Sequence, residues 1–168
     1  AFLGIPYAAP LHGALRFRAP RPAPGWAGVR EAREFGAWVP QQAIPSAVSG
    51  ATTGELADLR GASGAECLTL NVWTPRARGG AGGDGLPVLV WVHGGGFVGG
   101  SANTPGFDGT QLARDGVVLV SVNYRVGYEG FGWVRDAPWN RGVLDQLAAL
   151  QWVQDNIAAF GGDPGRVT

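Results

Sequence analysis

The sequence predicts an α/β domain with a mostly parallel central sheet, and three observations carry that prediction. Two short, valine-rich apolar runs, Leu86–Val92 and Val117–Val122, have the character of strands buried on both faces. A short helical stretch lies between them. The strongest helical pattern in the chain then starts at Asn140 and leads into Arg166-Val167-Thr168, the opening of a further strand. Strand, short helix, strand, long helix, strand start is an alternation that implies parallel strands joined by right-handed crossovers.

Each element has its own local reason. Residues 1–30 are rich in proline, arginine and aromatics, and Ile5-Pro6-Tyr7 and Leu15–Pro20 predict extended, turn-broken chain. Residues 41–65 are small and polar and read as a long mobile loop, with a helical turn over Glu55–Arg60. Leu68, Leu70 and Val72 alternate with Thr69, Asn71 and Trp73, a half-buried strand pattern. Arg76–Gly85 carries four glycines within Gly79–Gly83 and reads as a flexible turn. Asp108 followed by Gln111 predicts a capping box at the start of the short helix, which ends near Gly116. Asn123–Asn140 reads as a loop, and Asn140 as the cap of the long helix. On that helix Val143, Leu147, Leu150, Val153, Ile157 and Phe160 recur on one face. Gly161 supplies the left-handed stop and Pro164 prevents continuation.

Composition narrows the function classes. At 168 residues, 45% of them apolar, the chain has the core material of one domain rather than two. Thirteen basic residues, all arginine, balance thirteen acids, so no charge excess points to nucleic acid or an anionic membrane as partner. The apolar runs fall far short of the roughly 20 residues that span a bilayer. One cysteine, Cys67, rules out an intrachain disulfide and gives no evidence about the compartment. Methionine is absent, so position 1 does not read as a translational start, and the chain is expected to be an internal piece, truncated at both ends. Arginine without lysine, together with abundant alanine and glycine, is the pattern of GC-rich coding and suggests a bacterial source.

The run Leu86–Val92 leads directly into His93-Gly94-Gly95-Gly96-Phe97. Three glycines leave a loop whose backbone N–H groups can approach negative charge closely. Two chemistries use such a loop. Gly94, Gly96 and Gly99 fit the G-x-G-x-x-G of a dinucleotide site. That site needs a helix opening at the glycines, whereas Pro105 and Gly106 delay the helix to about Gly109, and the position for a ribose-binding acid holds Asn123. An oxyanion hole needs N–H donors at a strand end, aimed where a carbonyl oxygen becomes negative, with no side chains in the way.

Seven ordered motifs add a resemblance: Phe2–Ala8 (FLGIPYA), Leu15–Pro20 (LRFRAP), Glu66–Trp73 (ECLTLNVW), His93–Phe97 (HGGGF), Asn123–Gly127 (NYRVG), Gly142–Gln146 (GVLDQ) and Phe160–Pro164 (FGGDP). In this order, over nearly the whole chain, they resemble the type-B carboxylesterases, which include the cholinesterases. The resemblance implies a partial α/β-hydrolase fold and hydrolysis of a small carboxylic ester by a Ser-Glu/Asp-His triad, with no cofactor, no metal, no nucleic acid and no membrane. It places the oxyanion-hole N–H groups on Gly95 and Gly96 and makes Gly94 and Phe97 candidates for substrate contact. It puts the nucleophile elbow just after Thr168 and the acid and histidine much further on, so the remainder of the polypeptide is needed and the 168 residues alone are expected to be inactive. Relatives that keep the fold but serve as adhesion or scaffold proteins form the alternative, disfavoured by the intact glycine triplet.

The sequence departs from that pattern in places. The family's cysteine partner to the Cys67 position is here Val39, so Cys67 is expected to be a buried free thiol. The family's glutamate before the cysteine, which pairs with the arginine matching Arg16, is here Ala65, leaving that pair lost or reassigned to Glu66. His12 reads as a solvated loop residue, and His93 as a packing or hydrogen-bonding group that orients the glycine loop. Asp163-Pro164 reads as a turn. The seven tryptophans are expected mostly in the core, with Trp133 and Trp139 as possible gorge-lining residues.

Overall fold

The alternation of short apolar runs and helical segments folds into a mixed five-stranded sheet. The computed structural model describes residues 1–41, 63–76 and 85–168. The strands are β1 (Phe2–Pro6), β2 (Thr69–Trp73), β3 (Leu86–Val92), β4 (Val118–Val122) and β5 (Gly162–Val167), in spatial order β1-β2-β4-β3-β5. β4, β3 and β5 are parallel, while β1 and β2 join antiparallel. The expected parallel sheet is therefore the half that follows residue 85. The antiparallel half comes from the proline-rich start and the Cys67–Trp73 segment. The predicted turns at 42–62, including Glu55–Arg60, and most of Arg76–Gly85 lie outside the described residues.

β4 matches its apolar sequence, with all five residues buried. β3 does not: Val88 alone is buried, and Trp91 and Val92 are exposed at its carboxyl end. Periodicity reports how apolar a strand is; what covers it depends on the other elements. β2 departs the other way. Its polar residues Thr69 and Asn71 are as buried as its apolar ones, because each finds partners. Asn71 accepts from the Gly4 N–H at 2.9 Å and donates to the Ser121 hydroxyl at 3.0 Å.

The helices are α1 (Thr110–Arg114), α2 (Gly127–Phe131) and α3 (Arg141–Asn156), the last continued by a 3-10 turn over Ile157–Phe160. α1 starts where expected, and Asp108 accepts from the Thr110 N–H at 2.8 Å. The capping box does not form, since Gln111 reaches forward to Asp115 at 3.2 Å instead of back. α2 is new; it occupies part of the stretch read as loop. Gly161, at φ +81, ends the 3-10 turn in the left-handed conformation expected of it. β5 begins at Gly162, four residues before the expected strand start, and Asp163 makes a local turn by accepting from Gly165 N–H at 2.8 Å.

The buried face of α3 corrects the sequence reading. Gly142, Asp145, Ala149 and Val153 face inward, continued by Ile157, while Val143 and Leu150 are 39% exposed and Leu147 is 56% exposed. Of the predicted stripe only Val153 and Ile157 are buried. An ion pair sets the helix rotation: the Asp145 carboxylate receives Arg125 Nε and Nη2, both at 2.7 Å, and the Arg125 N–H at 3.0 Å. Both side chains are fully buried. Leu147 is two residues from Asp145, roughly 200° around the helix, so burying one exposes the other. Burial pushes the Asp145 carboxyl up, and the Arg125 hydrogen bonds oppose that.

The tryptophans also depart from expectation. Trp38 and Trp73 are in the core, but Trp26, Trp91, Trp133 and Trp139 are exposed. Cys67 is a fully buried free thiol in the same core cluster as Val39, as expected. Arg16 pairs with Glu129 through its Nε at 3.0 Å and through Nη2, and not with Glu66. No helix among the described residues is long and apolar enough to cross a membrane.

Removing one partner of a buried ion pair leaves the other uncompensated, at a cost of about 3–5 kcal/mol. Asp145→Asn in the intact protein is expected to lower unfolding free energy by about that much in urea titration, and Leu147→Ala by about 0.5 kcal/mol or less. Equal losses would reverse the assignment of the helix face.

Candidate active site

Parallel pairing sets Val92 of β3 beside Val122 of β4, so the loops leaving both strands emerge at one edge of the sheet. In open α/β sheets ligands bind outside the carboxyl ends of the strands. Two segments meet here: the glycine loop, 93–100, and the shelf formed by Asn123–Gly127.

The shelf holds the start of the loop. His93 is buried; its ring stacks on Tyr124 at 4.3 Å between centroids and 19° between planes. Tyr124 Oη donates to the His93 carbonyl at 2.8 Å, and His93 Nδ1 lies 3.0 Å from the Gly94 carbonyl, to which it can only donate. His93 Nε2 has no hydrogen-bond partner among the described residues. Burial holds its pKa below the ordinary histidine value, and the Gly94 bond opposes the shift. The expected orienting role of His93 thus has a geometry. Further along, the Gly127 N–H donates to the Phe97 carbonyl at 2.6 Å, fixing the middle of the loop to the start of α2.

Asn123 secures the chain beyond the loop. Its Oδ1 accepts from the Ala102 N–H at 2.8 Å and the Ser101 hydroxyl at 3.1 Å, and its carbonyl accepts from Tyr7 Oη at 2.7 Å. Its amide nitrogen donates to Asn103 at 3.2 Å. A carboxylate at this position would lack that donor.

Within the loop, backbone geometry calls for glycine at Gly95 and Gly96. Gly95 has φ +128, and a Cβ there would lie 1.9 Å from the Gly99 carbonyl oxygen. Gly96 has φ +60 and open space around its missing side chain. Gly94, Gly95 and Gly96 are exposed, and no acceptor among the described residues takes the N–H of Gly95 or Gly96. Donors left open at a strand end, with no side chain above them, are what a developing negative charge needs. Phe97 follows with φ +62, is 52% exposed, and packs its ring 4.9 Å from Phe131. A bulky residue in the left-handed region is strained, and such strain concentrates at functional sites. The next helix does not open at the glycines; α1 begins at Thr110, so the phosphate-cradle geometry is missing.

A recess of about 420 Å³ beside the loop is lined by Pro40, Gln41, Val98, Gly127, Tyr128 and Glu129. A slightly larger recess of about 450 Å³, with Trp26, Arg30, Phe35 and Glu66 in its wall, shares no lining residue with the loop. Open backbone donors therefore define the site better than concavity does. His12 is exposed, as expected of a loop residue. Trp133 and Trp139 are exposed in the segment between α2 and α3 and are not among the residues lining the recess at the loop. Sequence reasoning missed Gln41 and Tyr124 and gave Asn123 only a negative role. For Tyr124 and Asn123 the polar Asn-Tyr-Arg that follows the apolar β4 is the available signal.

The fold defines an α/β protein with a bare glycine loop at the carboxyl edge of its sheet. The sequence profile of the Carboxylesterase family matches residues 1–168, and the chain belongs to that family. The family has the α/β-hydrolase fold, and the mixed sheet with its flanking helices is consistent with part of it. The chain is 46% identical to fumonisin B1 esterase of Sphingopyxis macrogoltabida, over 99% of this chain and 30% of that protein. It is also 46% identical to phenmedipham hydrolase of Pseudarthrobacter oxydans, over 99% of this chain and 32% of that protein. With acetylcholinesterase of Gallus gallus it shares 46% identity over all of this chain and 22% of that protein. It thus spans between about a fifth and a third of the length of these relatives.

Two measurements check the site's buried groups. The neutral His93 ring is the folded form, while an unfolded histidine takes up its proton near 6.5. The stability it contributes is present above about 6.5 and is lost as pH falls through the lower folded value. Urea midpoints should therefore fall between about pH 7.5 and pH 5, and more steeply than in a His93→Phe variant. Burial, with the charge of Asp145 adding to it, pushes the Cys67 thiol up to about 12. Cys67 should resist a thiol reagent in the native protein and react fully in denaturant; rapid native labelling would contradict its burial.

Proposed function

We propose that this chain is part of a serine carboxylesterase, and that it supplies the oxyanion-hole loop. The observation that carries the reading is the pair of N–H groups at Gly95 and Gly96, two exposed residues at the carboxyl end of β3 whose N–H groups meet no acceptor among the described residues. Esterase activity in the names of two relatives, fumonisin B1 esterase and acetylcholinesterase, supports it. A non-catalytic scaffold has no need of a bare loop with open donors.

In this reading residues 1–168 are one part of an α/β-hydrolase domain. The serine nucleophile, histidine base and acid come from sequence outside them, in keeping with the share of the relatives' length that the chain covers. The serine attacks the carbonyl carbon of a small ester as the histidine takes its proton. The carbonyl oxygen becomes negative and receives hydrogen bonds from the Gly95 and Gly96 N–H groups. The alcohol leaves with a proton from the histidine, and water then releases the acid from the acyl-enzyme by the same steps. Gly94 leaves room for the carbonyl, and Phe97 borders the acyl or alcohol group. No cofactor is required.

A short-chain nitrophenyl ester tests this in the full-length protein. Nitrophenolate release should be abolished by replacing the elbow serine with alanine. Gly96→Ala, which strains a left-handed residue and adds a methyl above the donors, should lower kcat roughly 100- to 1,000-fold with KM little changed. Absence of turnover in the unaltered protein, or full activity in Gly96→Ala, would sink the reading.

A further inference from the structure

We propose that Gln41 is a positioning residue for the glycine loop, acting on the oxyanion donors through Gly100. The inference rests on the assignment of Gly95 and Gly96 as those donors. Gln41 makes a reciprocal pair of bonds with one residue's backbone. Its Oε1 accepts from the Gly100 N–H at 2.7 Å, and its Nε2 donates to the Gly100 carbonyl at 2.8 Å. Nε2 also reaches the Val39 carbonyl at 3.2 Å, which fixes the amide against its own strand of chain. A primary amide here does what a neighbouring β-strand would do, meeting one donor and one acceptor of a backbone that has left the sheet.

The bond matters to the donors because of what lies between. Gly99, the residue before the clamp, packs its carbonyl against Gly95 so tightly that a Cβ on Gly95 would sit 1.9 Å from its oxygen. The Gly95 carbonyl in turn accepts the Val98 N–H at 3.0 Å and the Gly99 N–H at 3.4 Å. Residues 95–99 therefore move as a unit, and the plane of the Gly95–Gly96 peptide follows the position of Gly99 and Gly100. His93 holds the start of this unit and Gly127 its middle. Gln41 holds its end, reaching across 59 positions of sequence to do so. It is also the only one of the three fastenings made by a side chain from outside the loop and shelf. Without it the donors remain but are no longer pre-aimed, and pre-aiming is what makes an oxyanion hole effective.

The residue type follows from the two bonds. Glutamate keeps the acceptor for the Gly100 N–H but sets a carboxylate oxygen against the Gly100 and Val39 carbonyls. Alanine removes both bonds.

The test uses the full-length protein, Gln41→Glu and Gln41→Ala, and three readouts. The first is kcat and KM on a short nitrophenyl ester. The second is inhibition by a trifluoromethyl ketone, whose serine adduct carries an oxyanion. The third is inhibition by the matching methyl ketone, which binds without stable adduct formation. The proposal expects kcat to fall roughly 10- to 100-fold in both variants with KM within about threefold. Trifluoromethyl ketone affinity should fall by a similar factor while methyl ketone affinity stays. The near-isosteric Gln41→Glu carries the test if Gln41→Ala fails to fold. Unchanged kcat in a folded variant, or equal loss of affinity for both ketones, would overturn the positioning role and leave the esterase reading intact. An unaltered protein that neither turns over the ester nor binds the trifluoromethyl ketone would overturn both.

Discussion

The buried pair of Arg125 and Asp145 is the constraint from which the arrangement of the site follows. Two charges removed from water are tolerable only when each is satisfied, and here every favourable contact is made at once. Arg125 gives Nε and Nη2 to Asp145 and Nη1 to the Arg18 carbonyl, while its own N–H also meets Asp145. The pair joins the chain leaving β4 to α3 and to the proline-rich N-terminal segment. It leaves the shelf at Asn123–Gly127 one position, and on that shelf His93 stacks and Phe97 is tied. Gly142 allows the helix to come close enough, because a Cβ there would stand 2.3 Å from the Arg125 carbonyl oxygen.

The glycine loop is thus rigid for reasons outside itself. A segment with three glycines and almost no side chains has a high conformational entropy to lose. Its order comes from neighbours that hold it at start, middle and end. In the proposed oxyanion-hole role the donors are in place before charge develops, so the energy of fixing the loop is spent in folding and not during the reaction. Around Arg125 the remaining charges are placed with similar economy. Arg141 is buried with its guanidinium bonded to the carbonyls of Tyr128, Glu129, Gly132 and Pro138, which shapes the turn between α2 and α3. Glu129 meets Arg16 from the far end of the chain.

Much of this architecture could be read from the sequence, and the parts that could not share a cause. The runs at 86–92 and 118–122, the helix from Arg141 and the left-handed Gly161 announce themselves through local patterning. So does the glycine loop, whose lack of side chains is its signal. Periodicity misplaces the rotation of α3 because Val143, Leu147 and Leu150 are apolar and Asp145 is not. Hydropathy has no means of showing that a carboxylate will be satisfied by an arginine 20 residues earlier. The alternation in β2 implies a half-exposed strand for the same reason, since the partners of Asn71 come from β4 and β1. The exposed Trp26, Trp133 and Trp139 stand in connections, where an indole has no sheet face to pack on, and Trp91 stands at the uncovered carboxyl end of β3. Gln41 bears no chemistry of its own and stands next to a stretch of small polar residues, so nothing in its neighbourhood marks it. The resemblance to the carboxylesterases supplied the fold and the chemistry, but its motifs name positions and not the bonds between them.

The bonds that order the site are long in sequence. Tyr7 reaches Asn123 across 116 positions, Arg16 reaches Glu129 across 113, and Gln41 reaches Gly100 across 59. Contacts this distant close large loops and form late, after the local hairpins and helices that need no such search. In a folding chain the glycine loop therefore stays unaimed until the segment that carries Tyr7, Arg16 and Gln41 has docked. In the proposed role the glycine loop is in that sense a proofreader of folding, competent only in molecules whose residues 1–41 have docked.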